Sequence, residues 1–169
     1  DVIPLPDYEL IDMGKYTTKN TRQVIKKIEQ SVIRSANLMT TRGCPFRCTF
    51  CSSHTVHGRT MRYRTIESVV KEVRNLHEKY GVTLFMPEDD LFTSNKKRTL
   101  DLLKALANLN IPNFTMQFPV ALSVNTLDET VLTALISSGM NVASLAIESG
   151  SEYVQKKIIK KNVNLSKAK

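Results

Sequence analysis

Ala36-Asn37-Leu38-Met39-Thr40-Thr41-Arg42-Gly43-Cys44-Pro45-Phe46-Arg47-Cys48-Thr49-Phe50-Cys51 is the stretch on which the fold turns. Ala36–Thr41 reads as a strand, and it runs straight into a loop that holds all three cysteines of the chain within eight positions. An odd number of thiols cannot form a disulfide framework without leaving one over. Their spacing is also too tight for separate disulfides to staple distant parts of a fold. Three thiolates on one short loop suit a metal instead, as one face of an iron–sulfur cube or three corners of a zinc tetrahedron.

Outward from that loop, strands and helices alternate. Ile66, Val69, Val70, Val73 and Leu76 share one helical face, with Thr65 as N-cap and Gly81 as stop. Val82–Met86 is a short apolar run between Gly81 and Pro87 and reads as a buried strand. A helix from about Asn95 turns Leu102, Leu103, Leu106 and Leu109 inward and ends before Pro112. Phe114–Val120 is a third strand, with Pro119 near its end. Thr126-Leu127-Asp128-Glu129 has capping-box spacing and opens a helix with Leu132, Leu135 and Ile136 that stops at Gly139. Val142–Ile147 is a fourth strand, and Ser149-Gly150-Ser151-Glu152 repeats the capping-box spacing before a last helix through Val154 and Ile158.

Four βα units in a row predict parallel strands joined by right-handed helical crossovers. The pattern fits a doubly wound sheet or part of a βα barrel, and in both the chemistry gathers where strands end and loops begin. The polar residues obey that rule. Cys44, Cys48 and Cys51 follow the first strand, Glu88, Asp89 and Asp90 the second, and Glu148 the fourth. One rim of one sheet therefore collects a metal loop and several carboxylates.

The first 35 residues differ. Pro4, Pro6, Asp7, Tyr8 and Gly14 read as an extended linker that packs on something, and Gln23–Ile33 suits a helix or a strand equally. At 169 residues, 41% apolar and 24% charged, the chain has room for one domain with a sizeable core. No apolar run approaches the roughly 20 residues that cross a bilayer. The chain opens on Asp1 without a secretory leader and is expected to be a fragment or a processed product. Cluster-binding thiols need reducing conditions, which predicts a cytoplasmic protein.

A net charge of +8 raises the question of nucleic acid. The excess is local, with Lys156, Lys157, Lys160, Lys161, Lys167 and Lys169 at one end and Lys15, Lys19, Arg22, Lys26 and Lys27 at the other. Aromatic residues do not interleave it as a base-stacking stripe would require. The lysines read as solvated faces and chain ends ahead of an anionic partner.

Among metal chemistries, Cys44, Cys48, Cys51 and His54 have the donor types of a Cys₃His zinc site. Such a site on one loop would tie no two segments together. Cys48-Thr49-Phe50-Cys51 is formally a redox C-x-x-C, but it carries a third thiol nearby and opens no helix at its first cysteine. Three thiolates with one open metal position are what a cluster needs to bind a ligand directly.

Arg42-Gly43-Cys44-Pro45-Phe46-Arg47-Cys48-Thr49-Phe50-Cys51 resembles the signature loop of the radical S-adenosylmethionine (SAM) enzymes, C-x-x-x-C-x-aromatic-C at the end of the first barrel strand. The Arg-Gly-Cys-Pro lead-in is similar to the subgroup that carries a cobalamin-binding domain upstream. Met86-Pro87-Glu88-Asp89-Asp90-Leu91-Phe92-Thr93 and Ala146-Ile147-Glu148-Ser149-Gly150-Ser151 resemble that subgroup's segments after the second and fourth strands. Pro4-Leu5-Pro6-Asp7-Tyr8 is similar to its interdomain linker.

The resemblance implies an α/β fold, a partial (βα) barrel of radical SAM type with about four parallel strands and outer helices. It implies residues 1–35 as an extension from an upstream domain and 36–169 as a truncated core. Cys44, Cys48 and Cys51 would ligate a [4Fe–4S] cluster that chelates SAM and cleaves it reductively to a 5′-deoxyadenosyl radical. Phe50 would lie against the adenine, Asp89 or Asp90 near the methionine ammonium, where opposite charges attract, and Glu148 on the ribose hydroxyls. The family's Gly-Gly-Glu is Pro87-Glu88 with Asp89 or Asp90 here, and Ser123 stands where an arginine for the SAM carboxylate is expected. Gln117 and Asn125 are its candidate substitutes.

Each of these residues also has a plain structural reading. Phe50 is then core, Asp89 and Asp90 a solvated turn before a Ser94 helix cap, and Glu148 a charge at the fourth helix's N-terminus. His54, His57 and His77 read as surface or structural residues, and Arg59, Arg62 and Arg64 as a shield for the cysteine loop or as exposed side chains. The parent is expected to be a cobalamin-dependent methyltransferase or a cyclase-type Fe–S oxidoreductase, with an unknown small-molecule substrate and an electron donor such as flavodoxin or ferredoxin. Nucleic acid and membrane are not expected partners. A radical SAM enzyme acting on RNA and a non-enzymatic zinc module are the alternatives. A truncated core would expose an open sheet edge, and the isolated fragment is expected to be poorly active or inactive.

Overall fold

The structure is a computed structural model that describes residues 3–16 and 33–168. Residues 23–32 of the ambiguous Gln23–Ile33 segment lie outside the described residues. A 3₁₀ turn (Tyr8–Leu10) and α1 (Met13–Tyr16) precede β1 (Ser35–Leu38) and β2 (Thr41–Arg42). There follow α2 (Ser53–Val56), β3 (Arg62–Tyr63), α3 (Ile66–Tyr80), β4 (Leu84–Pro87), α4 (Lys96–Ala107), β5 (Thr115–Met116) and α5 (Glu129–Ser137). A π-helical turn (Val154–Ile158) closes the series.

The sheet has the order β1-β4-β5, all parallel, with Ala36 beside Phe85 and Phe85 beside Met116. Helices α3 and α4 are the crossovers. Period-2 alternation turns Ala36 and Leu38 into the core while Asn37 between them is exposed. Val69, Val73 and Leu76 from α3, Leu102, Leu103 and Leu106 from α4, and Val131 and Leu135 from α5 complete that core. Thr65 caps α3 by accepting the Ser68 N–H. Gly81, at φ 67°, ends the helix, with its N–H on the His77 carbonyl and the Val82 N–H on the Leu76 carbonyl. The Gly81-to-His77 bond is the 5→1 bond of an αL close.

Several expectations are corrected. The fourth strand, predicted over Val142–Ile147, is reduced to one parallel bridge between Leu122 and Leu145. The third, predicted over Phe114–Val120, pairs only at Thr115–Met116. Past Gln117, whose N–H still donates to the Phe85 carbonyl, the chain leaves the β4 ladder, and Leu122 meets its next partner through the Ser144 carbonyl and the Ala146 N–H. The N-cap of α5 is Asp128, which accepts from the Val131 N–H, and Thr126 sits in a 3₁₀ turn with its hydroxyl on the Ser123 carbonyl. Of the predicted apolar face only Leu135 is buried, beside Val131, while Leu132 and Ile136 are exposed. In the last helix Ser151, not Ser149, faces the Val154 N–H, and the turn widens to π geometry.

The N-terminal residues pack on α3. Tyr8 donates to Glu72, which also holds Arg64, Lys79 pairs with Glu9, and Met13 is buried in the core. Asp7, by accepting from the Glu9 N–H, caps the turn that delivers Tyr8.

Asp89 locks the sheet at its C-terminal rim. Its buried carboxylate accepts from both the N–H (2.6 Å) and the hydroxyl (2.5 Å) of Thr40, joining the end of β1 to the end of β4. Burial pushes its pKa above the ordinary 3.8, against the pull of the Thr40 bonds. The folded state therefore keeps the proton over a window in which the unfolded chain has released it. Stability from that proton is present at acid pH and lost as pH rises through the folded value. Asp89→Asn, neutral at every pH, should gain on the wild type as pH rises above the ordinary carboxylate range in urea denaturation. Asp89→Ala, which strands the Thr40 donors, should cost about 1–3 kcal/mol. Parallel pH curves for wild type and Asp89→Asn would refute the assignment.

A candidate cluster and cofactor site on the strand rim

The cysteine loop is an excursion between β2 and β3, which pair antiparallel at its base through Thr41 with Tyr63 and Arg42 with Arg62. Gly43 is required there. At φ +94° its added Cβ would lie 2.3 Å from the Thr60 carbonyl oxygen, so only glycine lets the two arms close. Residues 58–62 then clamp the loop. The Cys44 N–H donates to the Gly58 carbonyl (3.2 Å), Arg59 to the Phe46 carbonyl and Arg62 to the His57 carbonyl. Arg64 leaves the loop for Glu72.

The three thiols are free and partly buried. Burial pushes the Cys44 thiol up, and the charges of Asp90, Cys48 and Cys51 add to this against a backbone hydrogen bond from Phe46. Burial also pushes Cys48 up, with Lys161 pulling the other way. Crowded thiols that resist losing their protons to water are what a multiply charged metal group replaces, with release of those protons on binding. Zinc thiolates converge at about 2.3 Å from a single ion. His54 is turned back onto the Cys51 carbonyl. A cube takes its three thiolates at separate corners, so the donor set fits the cluster.

The carboxylates divide by direction. Asp89 is committed to Thr40 and faces into the protein. Asp90 stays at the rim, where its Oδ2 accepts from His57 Nδ1 at 2.8 Å and its charge is felt by Cys44. Glu148 sits at φ +65°, a left-handed conformation rare for a residue with a Cβ. Its carboxylate pairs with Lys161 at 2.7 Å. The same ammonium lies 5.7 Å from the centre of the Phe50 ring, which is 56% exposed and so is not core. The neighbouring Thr49 hangs from the last turn, its N–H on the Ile159 carbonyl and its hydroxyl on the Ile158 carbonyl.

Gln155, almost wholly buried, is the brace behind this corner. Its amide nitrogen donates to the carbonyls of Ile147 and Ser149 on either side of Glu148, and its Oε1 accepts from the Val163 N–H. Its backbone carbonyl accepts from the Lys161 N–H.

Sequence reasoning missed Lys161 and Gln155. Lys161 was counted among solvated lysines, yet its side chain is only 12% exposed. Gln117 and Asn125 are each engaged by other polar groups. Gln117 donates to the Gly139 carbonyl and to Asn141, and Asn125 holds the backbone of Asn162 and Asn164. Ser123 is buried, beside Asp90 and Asp89 in a small cavity of about 10 Å³. A run of lysines gives no sign of which one turns inward, although its distance from Glu148 across one helix was a usable signal.

The model of the radical SAM superfamily matches residues 38–168. The chain belongs to the radical SAM superfamily. It is 32% identical over 99% of its length to cytidylyl-2-hydroxyethylphosphonate methyltransferase of Streptomyces wedmorensis, covering 30% of that protein. It is 32% identical over 91% of its length to an uncharacterised methyltransferase of Pyrococcus horikoshii, again covering 30% of it. Two solved structures share the fold. They are the radical SAM methyltransferase TsrM of Kitasatospora setae (TM-score 0.61, 19% identity, 72% of this chain and 23% of that one) and the cobalamin-dependent radical SAM enzyme OxsB (TM-score 0.62, 17% identity, 79% and 21%). The radical SAM chain thus spans about 30% of the length of the curated relatives it matches. The superfamily holds a [4Fe–4S] cluster and SAM.

Anaerobic reconstitution should load about four iron and four sulfide per chain. Substituting Cys44, Cys48 or Cys51 by alanine should bring iron and visible absorption to the background of the unreconstituted protein, while His54→Ala should load normally. Retention of one zinc in place of iron, lost in His54→Ala, would contradict the cluster.

Proposed function

We propose that the chain is the cluster- and SAM-binding core of a cobalamin-dependent radical SAM methyltransferase. The relatives named as methyltransferases support this, as does the fold shared with TsrM and OxsB. The observation that carries it is the meeting of the cysteine loop, Phe50, Asp90, Glu148 and Lys161 at one rim. Residues 1–35 serve as the extension from an upstream domain and 36–169 as the core. The packing of Tyr8 and Met13 against α3 and the core suits an extension that fixes where such a domain sits.

When bound, the cluster supplies one electron that divides SAM into methionine and a 5′-deoxyadenosyl radical. The protein's part is to hold SAM for that event. Phe50 offers an exposed ring face to the adenine. Asp90 faces the methionine ammonium as an opposite charge. Glu148 accepts from the ribose hydroxyls, and Lys161 supplies the cation for the SAM carboxylate that Ser123 lacks. The Glu148–Lys161 pair keeps the two charges matched until the ligand arrives. A small-molecule substrate, a flavodoxin- or ferredoxin-like electron donor and the cytoplasm complete the reading. Among the described residues no helix is long and apolar enough to cross a membrane.

The test is the full-length parent under anaerobic conditions with SAM and reductant, with and without cobalamin. Formation of 5′-deoxyadenosine together with a methylated product that requires cobalamin is the expected result. Lys161→Ala and Glu148→Gln should each weaken SAM binding by about ten- to a hundredfold, as loss of a charged hydrogen bond worth about 1.5–3 kcal/mol predicts. SAM cleavage that is indifferent to cobalamin and yields no methylated product would overturn the methyltransferase reading.

A further inference from the structure

We infer that His57 is a positioning residue that aims Asp90 at the SAM ammonium. The inference rests on the reading of Asp90 given above. The two side chains meet at 2.8 Å, and they are 25% and 19% exposed. Asp90 has no second hydrogen-bond partner among the described residues, so one of its oxygens is fixed and the other is left to accept. A carboxylate on a loop tip turns freely about its side-chain bonds. Tying one oxygen removes that freedom before the ligand arrives and lowers the ordering cost of binding.

His57 is itself held in place at both ends of its backbone. Its N–H donates to the Ser53 carbonyl (2.8 Å) at the end of α2, and its own carbonyl accepts from Arg62 (2.7 Å) in β3. The next residue, Gly58, accepts from the Cys44 N–H. The imidazole therefore belongs to the segment that shapes the cysteine loop, while the carboxylate it holds belongs to the end of β4. Bonding Nδ1 to a carboxylate puts the ring hydrogen on Nδ1, so the histidine acts as a donor. Its effect is to fix the distance between the bound cluster and the ammonium partner. Ordinary anchoring of β4 is already supplied by Asp89 and Thr40, so the pair is not needed to hold the strand.

The test uses the full-length reconstituted enzyme with its cluster left oxidised, so that SAM is not cleaved, and binding is read by equilibrium dialysis of SAM. Iron content and thermal midpoint are measured alongside. His57→Leu should weaken SAM binding about tenfold with both controls unchanged. His57→Asn, whose amide can donate near the Nδ1 position, should stay within about threefold of wild type. In an Asp90→Asn background His57→Leu should add no further loss, because the carboxylate it aims is gone. Wild-type affinity in His57→Leu, or an equal loss in both backgrounds, would overturn the role of His57. An Asp90→Asn variant that binds SAM as the wild type does would overturn the reading of Asp90 itself. A lowered iron content or thermal midpoint in both His57 variants would make the residue structural and refute the inference.

Discussion

The carboxylate of Asp89 is removed from water and satisfied by the two donors of Thr40, and the rim is organised around that junction. A buried carboxylate is costly unless its oxygens are paired. Here the pairing partner is the residue where β1 ends and the cysteine loop approaches. The same bond therefore sets the height at which the loop leaves the sheet and the height at which β4 ends. The next residue, Asp90, is left at the surface beside Cys44. One carboxylate builds the rim and its neighbour is available to use it.

From that junction the cysteine loop is held at three places. The β2–β3 pair closes its base, Gly43 allows the 58–60 strip to lie against it, and Thr49 is fastened to the carbonyls of Ile158 and Ile159. The third hold matters because it comes from the far end of the chain. It brings the last turn over Phe50, and with that turn comes Lys161. The strained backbone of Glu148 is then maintained by Gln155, whose amide bridges the carbonyls on either side. Strain of this kind persists where surrounding bonds over-determine it, and such places are commonly functional.

The sequence was legible where the signal is local. Thr65 and Gly81 marked both ends of α3 through cap chemistry, and the cysteine spacing after a strand identified the loop. It was less legible where pairing depends on distant neighbours. Val142–Ile147 looks like a strand by composition, yet only Leu145 finds a bridge. Capping-box spacing placed the start of α5 at Thr126, but Asp128 is the better acceptor for an N-terminal N–H and its carboxylate is also tied to Lys96. For the site, two adjacent aspartates could not be told apart by sequence, since their roles follow from which way a strand end alternates. Spacing after the third strand could not point to Lys161, the cation proposed above, because it comes from beyond the fourth.

That origin has a physical logic. A cation placed on the third strand would have to reach the rim from position 123, where the chain is buried and bends into a 3₁₀ turn beside Asp90. There it would be drawn into a pair with that carboxylate and would cancel the charge that faces an ammonium. Lys161 lies against Glu148 and Phe50, while Asp90 is held by His57. SAM carries an ammonium and a carboxylate on the same carbon. On the reading proposed above, Asp90 would take the ammonium and Lys161, released from Glu148, the carboxylate, and two unlike groups on one carbon would then admit the ligand in a single orientation.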